Sequence, residues 1–429
     1  MRAANSEQQS RKKLLILGAA ALEAEIIRRA QQLNYYVVVT DWNTDYKTYS
    51  PAKLVADEAW DISWTDLDAL EAACRANGVS GVLGGFSENR TEAQIKLCER
   101  LGLPCDISLE QLEITRDKAK FKDFCRRHGV PTVEEFDEAD AVKHLPVIIK
   151  PTNWGGSYGI RVVIRPEEFD RALAHTRSVS PSHQVVIEKF ISGPTKVDAY
   201  YLVEDGELYL MAMSDALILP PDKGHEICQA AWIFPSKNAG NWMRNVHPRI
   251  ADMIKSLKVR NGYITISAFA FDDGSFKCFE TGLRLSGELS YQFVEAAYGY
   301  SYLDFLVARA MGDPTPQRPD FYAETQAKML IANFLSRNGV VKVKKTPSEN
   351  YVDRLAGAVE VDMDESRYPY AGMYFSSSTD YKELIEKVLK ADREVVLTDE
   401  KGRDMIAFRF DRQSLSDLLM RYKWEGVQP

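Results

Sequence analysis

Two lysines and a group of glycines are the first residues in this 429-residue chain whose types and spacing suggest chemistry. Lys118 follows Asp117 in a helical stretch, and Lys150 ends the apolar run VIIK just before Pro151. A lysine emerging from a buried strand needs a counter-charge, and a phosphate is one. Residues 155–160 (GGSYGI) put Gly155, Gly156 and Gly159 in one loop, so backbone N–H groups can approach phosphate oxygens with no Cβ in the way. Ser157 adds a hydroxyl donor. Taken singly, each piece has a plainer explanation: such a loop is usually a turn, and a lysine after a strand is usually solvated.

Further along, VVIEKFISG at 185–193 sets Glu188 at the end of an apolar strand, followed by Lys189, Phe190 and Ile191. Such a crossing can offer backbone groups to an adenine edge between apolar walls; a plain core strand with a surface lysine is the alternative. KCFETGLRLSG at 277–287 places Glu280 four residues before Arg284. Together they can hold Mg²⁺ and steady charge on a transferring phosphate.

Positioning these residues takes two kinds of sheet. From Lys13, apolar strands (14–17, 36–39, 79–83) alternate with helices, which predicts a parallel sheet covered on both faces. Ligands on such sheets sit at the carboxyl ends of strands, which nominates residues 18–20, 41–43 and 84–89. GAAALEA is not GxGxxG, and tight strand-to-helix turns account for the same glycines. An amphipathic helical stretch follows at 109–128, stopped by Gly129 and Pro131. From Val147 short strands succeed one another with turns at 204–206 and 272–274, a hairpin density that predicts an antiparallel sheet beside helices, hence α+β. Residues 219–240 read as a mobile loop that closes over the site. After the connector at 313–320 the pattern predicts a helix near 323–336, a few strands and a terminal helix.

The whole order, DK, KP, GGSxGI, VIEKF and ExGxRxSG, covers about residues 12–312 and resembles the ATP-grasp superfamily of carboxylate–amine or thiol ligases. It is nearest to the carbamoyl-phosphate-synthase-like and biotin-carboxylase-like branch. The resemblance implies a Rossmann-like pre-ATP-grasp α/β domain at 11–112, an ATP-grasp domain at 113–312 and a small C-terminal α+β domain at 313–429. It implies ATP and Mg²⁺ as cofactors. Lys118 and Lys150 resemble the two lysines on the ATP phosphates, and Gly155, Gly156, Ser157 and Gly159 the flexible loop that folds over them. Glu188 with the backbone of Lys189, Phe190 and Ile191 resembles the adenine hinge. Glu280 takes the place of a magnesium-binding carboxylate, and Arg284, acting with Lys150, that of the arginine that steadies an acyl phosphate.

Three positions depart from the pattern. Thr195 stands where many relatives have a ribose-binding Glu, Ser267 where many have a first magnesium-binding carboxylate, and Gly282 where ExNxR has its asparagine. Asp198, Asp215 and Glu288 are the acidic residues placed to compensate. The implied activity is an ATP-dependent ligase that activates a carboxylate for attack by an amine or other nucleophile. The alternative is a degenerate relative that binds a nucleotide or metabolite without ligation. A dehydrogenase built on the N-terminal βαβ unit is the weakest reading, because the dinucleotide fingerprint is missing.

A net charge of −8 argues against nonspecific nucleic-acid binding and favours small-molecule partners. No apolar run approaches the roughly 18 residues of a membrane span, so no membrane partner is expected. The first ten residues read as a disordered tail without a secretory signal. Six scattered cysteines read as reduced thiols of a cytoplasmic protein. A homodimer is the commonest symmetric arrangement.

Overall fold

The computed structural model describes residues 11–218, 227–337, 339–355, 360–361 and 370–420. Strands β1 (Lys13–Leu17), β2 (Tyr36–Thr40), β3 (Glu58–Trp60) and β4 (Val79–Leu83) form a parallel sheet in the order β3-β2-β1-β4. Helix α1 (Glu23–Gln32) joins β1 to β2, α2 (Leu67–Asn77) joins β3 to β4, and α3 (Glu88–Leu101) follows β4. The strands are apolar at successive positions because each face has its own core. Leu14, Ile16, Val37 and Val39 pack on one side, Leu15, Leu17, Val38 and Val82 on the other.

The stretch expected as one amphipathic helix at 109–128 is two, α4 (Leu109–Arg116) and α5 (Lys118–Arg127). Next comes a small antiparallel sheet, β6-β5-β7, of β5 (Val147–Pro151), β6 (Arg161–Val163) and β7 (Val185–Lys189), covered by α6 (Phe169–Val179). The larger sheet follows: β8 (Thr195–Glu204), β9 (Glu207–Ile218), β10 (Gln229–Phe234), β11 (Gly262–Ala270) and β12 (Phe276–Gly282). Its hairpins turn where expected, with Asp205 and Gly206 at φ 50° and 85° between β8 and β9.

The later strands are β13 (Lys328–Leu335), β14 (Gly339–Val340), β15 (Val343–Lys345), β16 (Tyr351–Asp353), β17 (Glu360–Val361), β18 (Tyr370–Ser378) and β19 (Val396–Thr398). Three of them extend the same sheet, giving the order β12-β11-β8-β9-β10-β13-β18-β16. β14 pairs with β17, and β15 with β19. The mixed α/β class is as expected, and two local expectations are corrected. The helix predicted near 323–336 is the strand β13. Leu, Met and Ala favour helix, but this segment is apolar on every side. As a strand it buries Met329 and Ile331 on one face and Leu330, Ala332 and Phe334 on the other. The loop predicted at 219–240 is a strand over Gln229–Phe234, held between β9 and β13, and a helix begins at Ala239. Residues 219–226 lie outside the described ones.

Among the described residues no helix is long and apolar enough to cross a membrane. Cys74, Cys98, Cys105, Cys125 and Cys278 are free thiols.

Phe334 is fully buried between β13 and the helix Tyr381–Glu394. Phe334→Ala is expected to lower stability by about 3–5 kcal/mol, read as a shift in denaturant midpoint. A loss under about 1 kcal/mol would contradict a core strand here.

Candidate functional site

The break between α4 and α5 is the first device that positions the site. Asp117 is extended (φ −86°, ψ 115°), and its carboxylate accepts the backbone N–H groups of Ala119 and Lys120, capping α5. Lys118 therefore starts a helix rather than lying mid-helix. Its backbone N–H donates to Thr152 O at 2.8 Å and its Nζ to Trp154 O at 2.9 Å, with Glu280 3.3 Å away.

Lys150 lies on β5, the middle strand of the small sheet. Glu188 lies diagonally across on β7, since Lys150 pairs with Val186 and Ile148 with Glu188. The Lys150 ammonium donates to Glu188 Oε2 at 2.6 Å and lies 4.8 Å from the Phe279 ring centroid. The other carboxylate oxygen accepts from Lys122 on α5, which also reaches Glu135 at 2.6 Å. Burial would raise the Glu188 carboxyl, but the charges of Lys150 and Lys122 outweigh it and bring it down to about 2. The strand-end lysine thus has a protein counter-charge, which sequence reasoning assigned to a phosphate. Lys122 was missed, although it stands one helical turn after Lys118.

The glycine loop divides. Gly155, Gly156 and Ser157 line the main cavity, and Gly156 and Ser157 are consecutive left-handed residues at φ 68° and 61°. Gly159 faces away from it. A Cβ there would come within 2.3 Å of Val179 Cγ2, and its carbonyl accepts from Thr176 Oγ1, so Gly159 seats the loop on α6. Thr195 opens β8 opposite Ala270 and is not among the cavity-lining residues. Lys189, Phe190 and Ile191 do line the cavity. The backbone N–H groups of Lys189 and Phe190 are already donated to Glu134 O and Pro146 O. The expected hinge donors are therefore partly engaged within the fold.

Glu280 and Arg284 leave β12 on the cavity side. The registers set Asp198, Ser267 and Glu280 in a row across β8, β11 and β12. Burial would raise the Glu280 carboxyl, but Lys118 and then Lys150 hold it below its ordinary value. The Arg284 guanidinium is clamped by Glu88 at the start of α3, at 2.7 and 2.8 Å, which ties the parallel-sheet unit to the site. Glu88 had gone unnoticed beyond its place in a strand-end loop.

Asp198 and Asp215 do not serve as spare metal ligands. Asp198 is fully buried and accepts from Lys196 at 2.6 Å, Trp232 Nε1 at 3.2 Å and Ser267 Oγ. Asp215 accepts from Ser236, the Lys237 backbone and Asn238. Glu288 does line the cavity, accepting from Ser286 at 2.6 Å and Tyr200 at 2.9 Å. Burial, then the charge of Asp198, push its carboxyl above the usual carboxylate range. Among the described residues no group of three acidic, His or Cys side chains could alone hold a metal. Glu280 and Glu288 suit Mg²⁺ that completes its shell with ligand phosphates and water, the usual arrangement for that ion.

Of these groups, Lys118, Lys150, Gly155, Gly156, Ser157, Glu188, Lys189, Phe190, Ile191, Glu280, Arg284 and Glu288 line one cavity of about 510 Å³. Arg116, Lys118, Lys150, Lys189, Lys196, Arg284 and Arg354 are its cations, and Phe190, Ile191, Phe269, Phe279 and Trp232 are among its apolar residues. That combination suits an anionic, partly aromatic ligand.

Residues 117–310 match the family model described as carbamoyl-phosphate synthase L chain, ATP binding domain. Pyruvate carboxylase of Bacillus subtilis is 23% identical over 266 residues, covering 52% of this chain and 23% of that one. The arginine-specific carbamoyl phosphate synthase large chain of Neurospora crassa is 24% identical over 297 residues, covering 66% of this chain and 24% of that one. The chain thus spans about a quarter of the length of these relatives. Two solved structures are similar nearly end to end. One is the biotin carboxylase domain dimer of Hydrogenobacter thermophilus 2-oxoglutarate carboxylase, with MgADP and bicarbonate. Its TM-score is 0.74 at 16% identity, with 90% of each chain covered. The other is an L-amino acid ligase from Bacillus licheniformis, with TM-score 0.71, 17% identity and 91% and 99% coverage. These likenesses establish the fold.

Removing the Glu188 charge leaves two buried ammonium groups facing each other. Glu188→Gln is expected to cost about 3–5 kcal/mol in chemical denaturation. The folded carboxyl sits near 2, against 4.5 ordinarily, so its contribution is complete above about pH 5 and is lost as pH falls toward 2. The variant should lack that part of the acid-induced loss; a wild-type pH profile in Glu188→Gln would refute the assignment.

Proposed function

Starting from residues 117–310 as a carbamoyl-phosphate-synthase-type ATP-binding domain, we propose that this chain is an ADP-forming ligase that activates a carboxylate for attack by an amine or other nucleophile. The observation that carries the reading is convergence: Lys118, Lys150, the loop at Gly155 and Gly156, Glu280 and Arg284 all face one cavity. The phosphate tail would lie against the lysines and the loop, with the base against Phe190 and Ile191. Glu280 and Glu288 would hold Mg²⁺, which when bound neutralises phosphate charge.

In the proposed reaction a substrate carboxylate oxygen forms a bond to the γ-phosphorus while the bond to the β-phosphate oxygen breaks. ADP leaves, and the nucleophile then displaces phosphate from the acyl carbon. The chain's share is positioning and charge. Lys150, held by Glu188, would contact the phosphates, and Arg284, fixed by Glu88, would steady the negative charge that develops. A binder without turnover is the weaker reading, because Glu280 is retained and Glu288 adds a second carboxylate to the cavity lining, although the asparagine and the first carboxylate of the pattern are lost.

The division into 11–112, 113–312 and 313–429, the small-molecule carboxylate and amine as partners, a homodimer and a cytoplasmic setting belong to the same proposal. The free thiols of Cys74, Cys98, Cys105, Cys125 and Cys278 suit that setting.

The test is ADP and phosphate release on adding a carboxylate together with an amine. Lys150→Ala is expected to lower that rate by about 100-fold or more. Full activity in Lys150→Ala would remove the phosphate role from this lysine.

A further inference from the structure

The part of the cavity wall formed by β10, β13 and β18 has been given no role beyond the apolar surface of Trp232. Ile331 on β13 is opposite Trp232 on β10, and Asn333 is opposite Met373 on β18. Alternation along β13 turns Met329, Ile331 and Asn333 to the same face as Trp232 and Met373. Asn333, Trp232 and Met373 all line the cavity.

Asn333 is fully buried. Its Nδ2 donates to Gln229 O at 2.8 Å, which fixes the amide with Oδ1 as the remaining acceptor. Oδ1 is buried and has no hydrogen-bond partner. Buried acceptors are almost always paired, so an orphan on a cavity wall points to a donor brought by a ligand. Neighbouring groups narrow the class. Arg354 Nη1 reaches Gly287 O at 3.4 Å and Met373 Sδ at 3.6 Å, bridging the Glu288 loop and the strand position facing Asn333. This part of the cavity therefore combines a guanidinium, the carboxylate of Glu288, the orphan acceptor and the apolar surfaces of Trp232 and Met373. The guanidinium suits a carboxylate and the orphan amide oxygen a donor beside it, the pair of groups that an aminated acid presents.

We propose that Asn333 Oδ1 reads an N–H donor on the substrate, so that the acid bound at this wall is an aminated one with an apolar body. The inference rests on the ligase reading and deepens it by naming the substrate class.

The test is calorimetry on the full chain saturated with MgADP. The probes are the standard L-amino acids and, for each that binds, the acids carrying hydrogen or hydroxyl in place of the amino group. The expected result is that an aminated acid binds about 10-fold or more tightly than both counterparts. Asn333→Leu should abolish that ratio with MgADP binding unchanged, whereas Asn333→Asp, which keeps an acceptor, should preserve it. Equal loss in both variants would reduce Asn333 to its bond with Gln229 and overturn the proposal. So would counterparts that bind equally well, an unchanged ratio in Asn333→Leu, or no aminated acid binding to a chain that takes up MgADP. A chain that does not bind MgADP overturns the nucleotide reading itself, and this inference with it.

Discussion

One buried carboxylate organises this site. Glu188 lies between Lys150 on the neighbouring strand and Lys122 on the helix above, and both ammonium groups reach it. The carboxylate could not remain charged at that depth without the two ammonium groups, whose charges outweigh its burial. The arrangement joins α5 to the small sheet and fixes where Lys150 points. It also sets up the electrostatics around it, since the lysine charges that hold Glu280 below its ordinary value come from Lys118 on α5 and Lys150 on β5.

The remaining parts reach the cavity through comparable ties. Lys118 gets its place from a helix break made by Asp117, together with a backbone bond to Thr152. Arg284 leaves one sheet but is held by Glu88 from the parallel-sheet unit. Part of the wall comes from strands after residue 312 that continue the central sheet. Segments distant in sequence thus converge on a single volume, and most of the charged contacts that fix them are pairs rather than lone groups.

Much of this was legible in the sequence, for identifiable reasons. Alternating apolar strands and helices revealed the parallel sheet, because strands covered on both faces must be apolar throughout. The hairpin turns were readable because Asp205 and Gly206 suit left-handed backbone. The order of Lys118, Lys150, the glycine loop, Glu280 and Arg284 pointed to one cavity, and all but Gly159 of that set line it. β13 was misread because its composition favours helix and only its partners on both sides decide otherwise. Lys122 and Asn333 were invisible as site residues, and Glu88 was legible only as part of the nominated loop at 84–89, part of which does line the cavity. Their roles depend on contacts 66, 104 and 196 positions away, which no local pattern encodes.

The central claim is that phosphate passes from ATP to a carboxylate oxygen. The most direct measurement uses an acid that stimulates ADP formation, labelled with ¹⁸O in its carboxylate, in the presence of the nucleophile. Mass spectrometry of the released phosphate should find the label transferred from the acid, since acyl transfer leaves that oxygen on phosphorus. Unlabelled phosphate, formed at the rate of ADP, would mean that water attacks ATP and that the carboxylate is never activated.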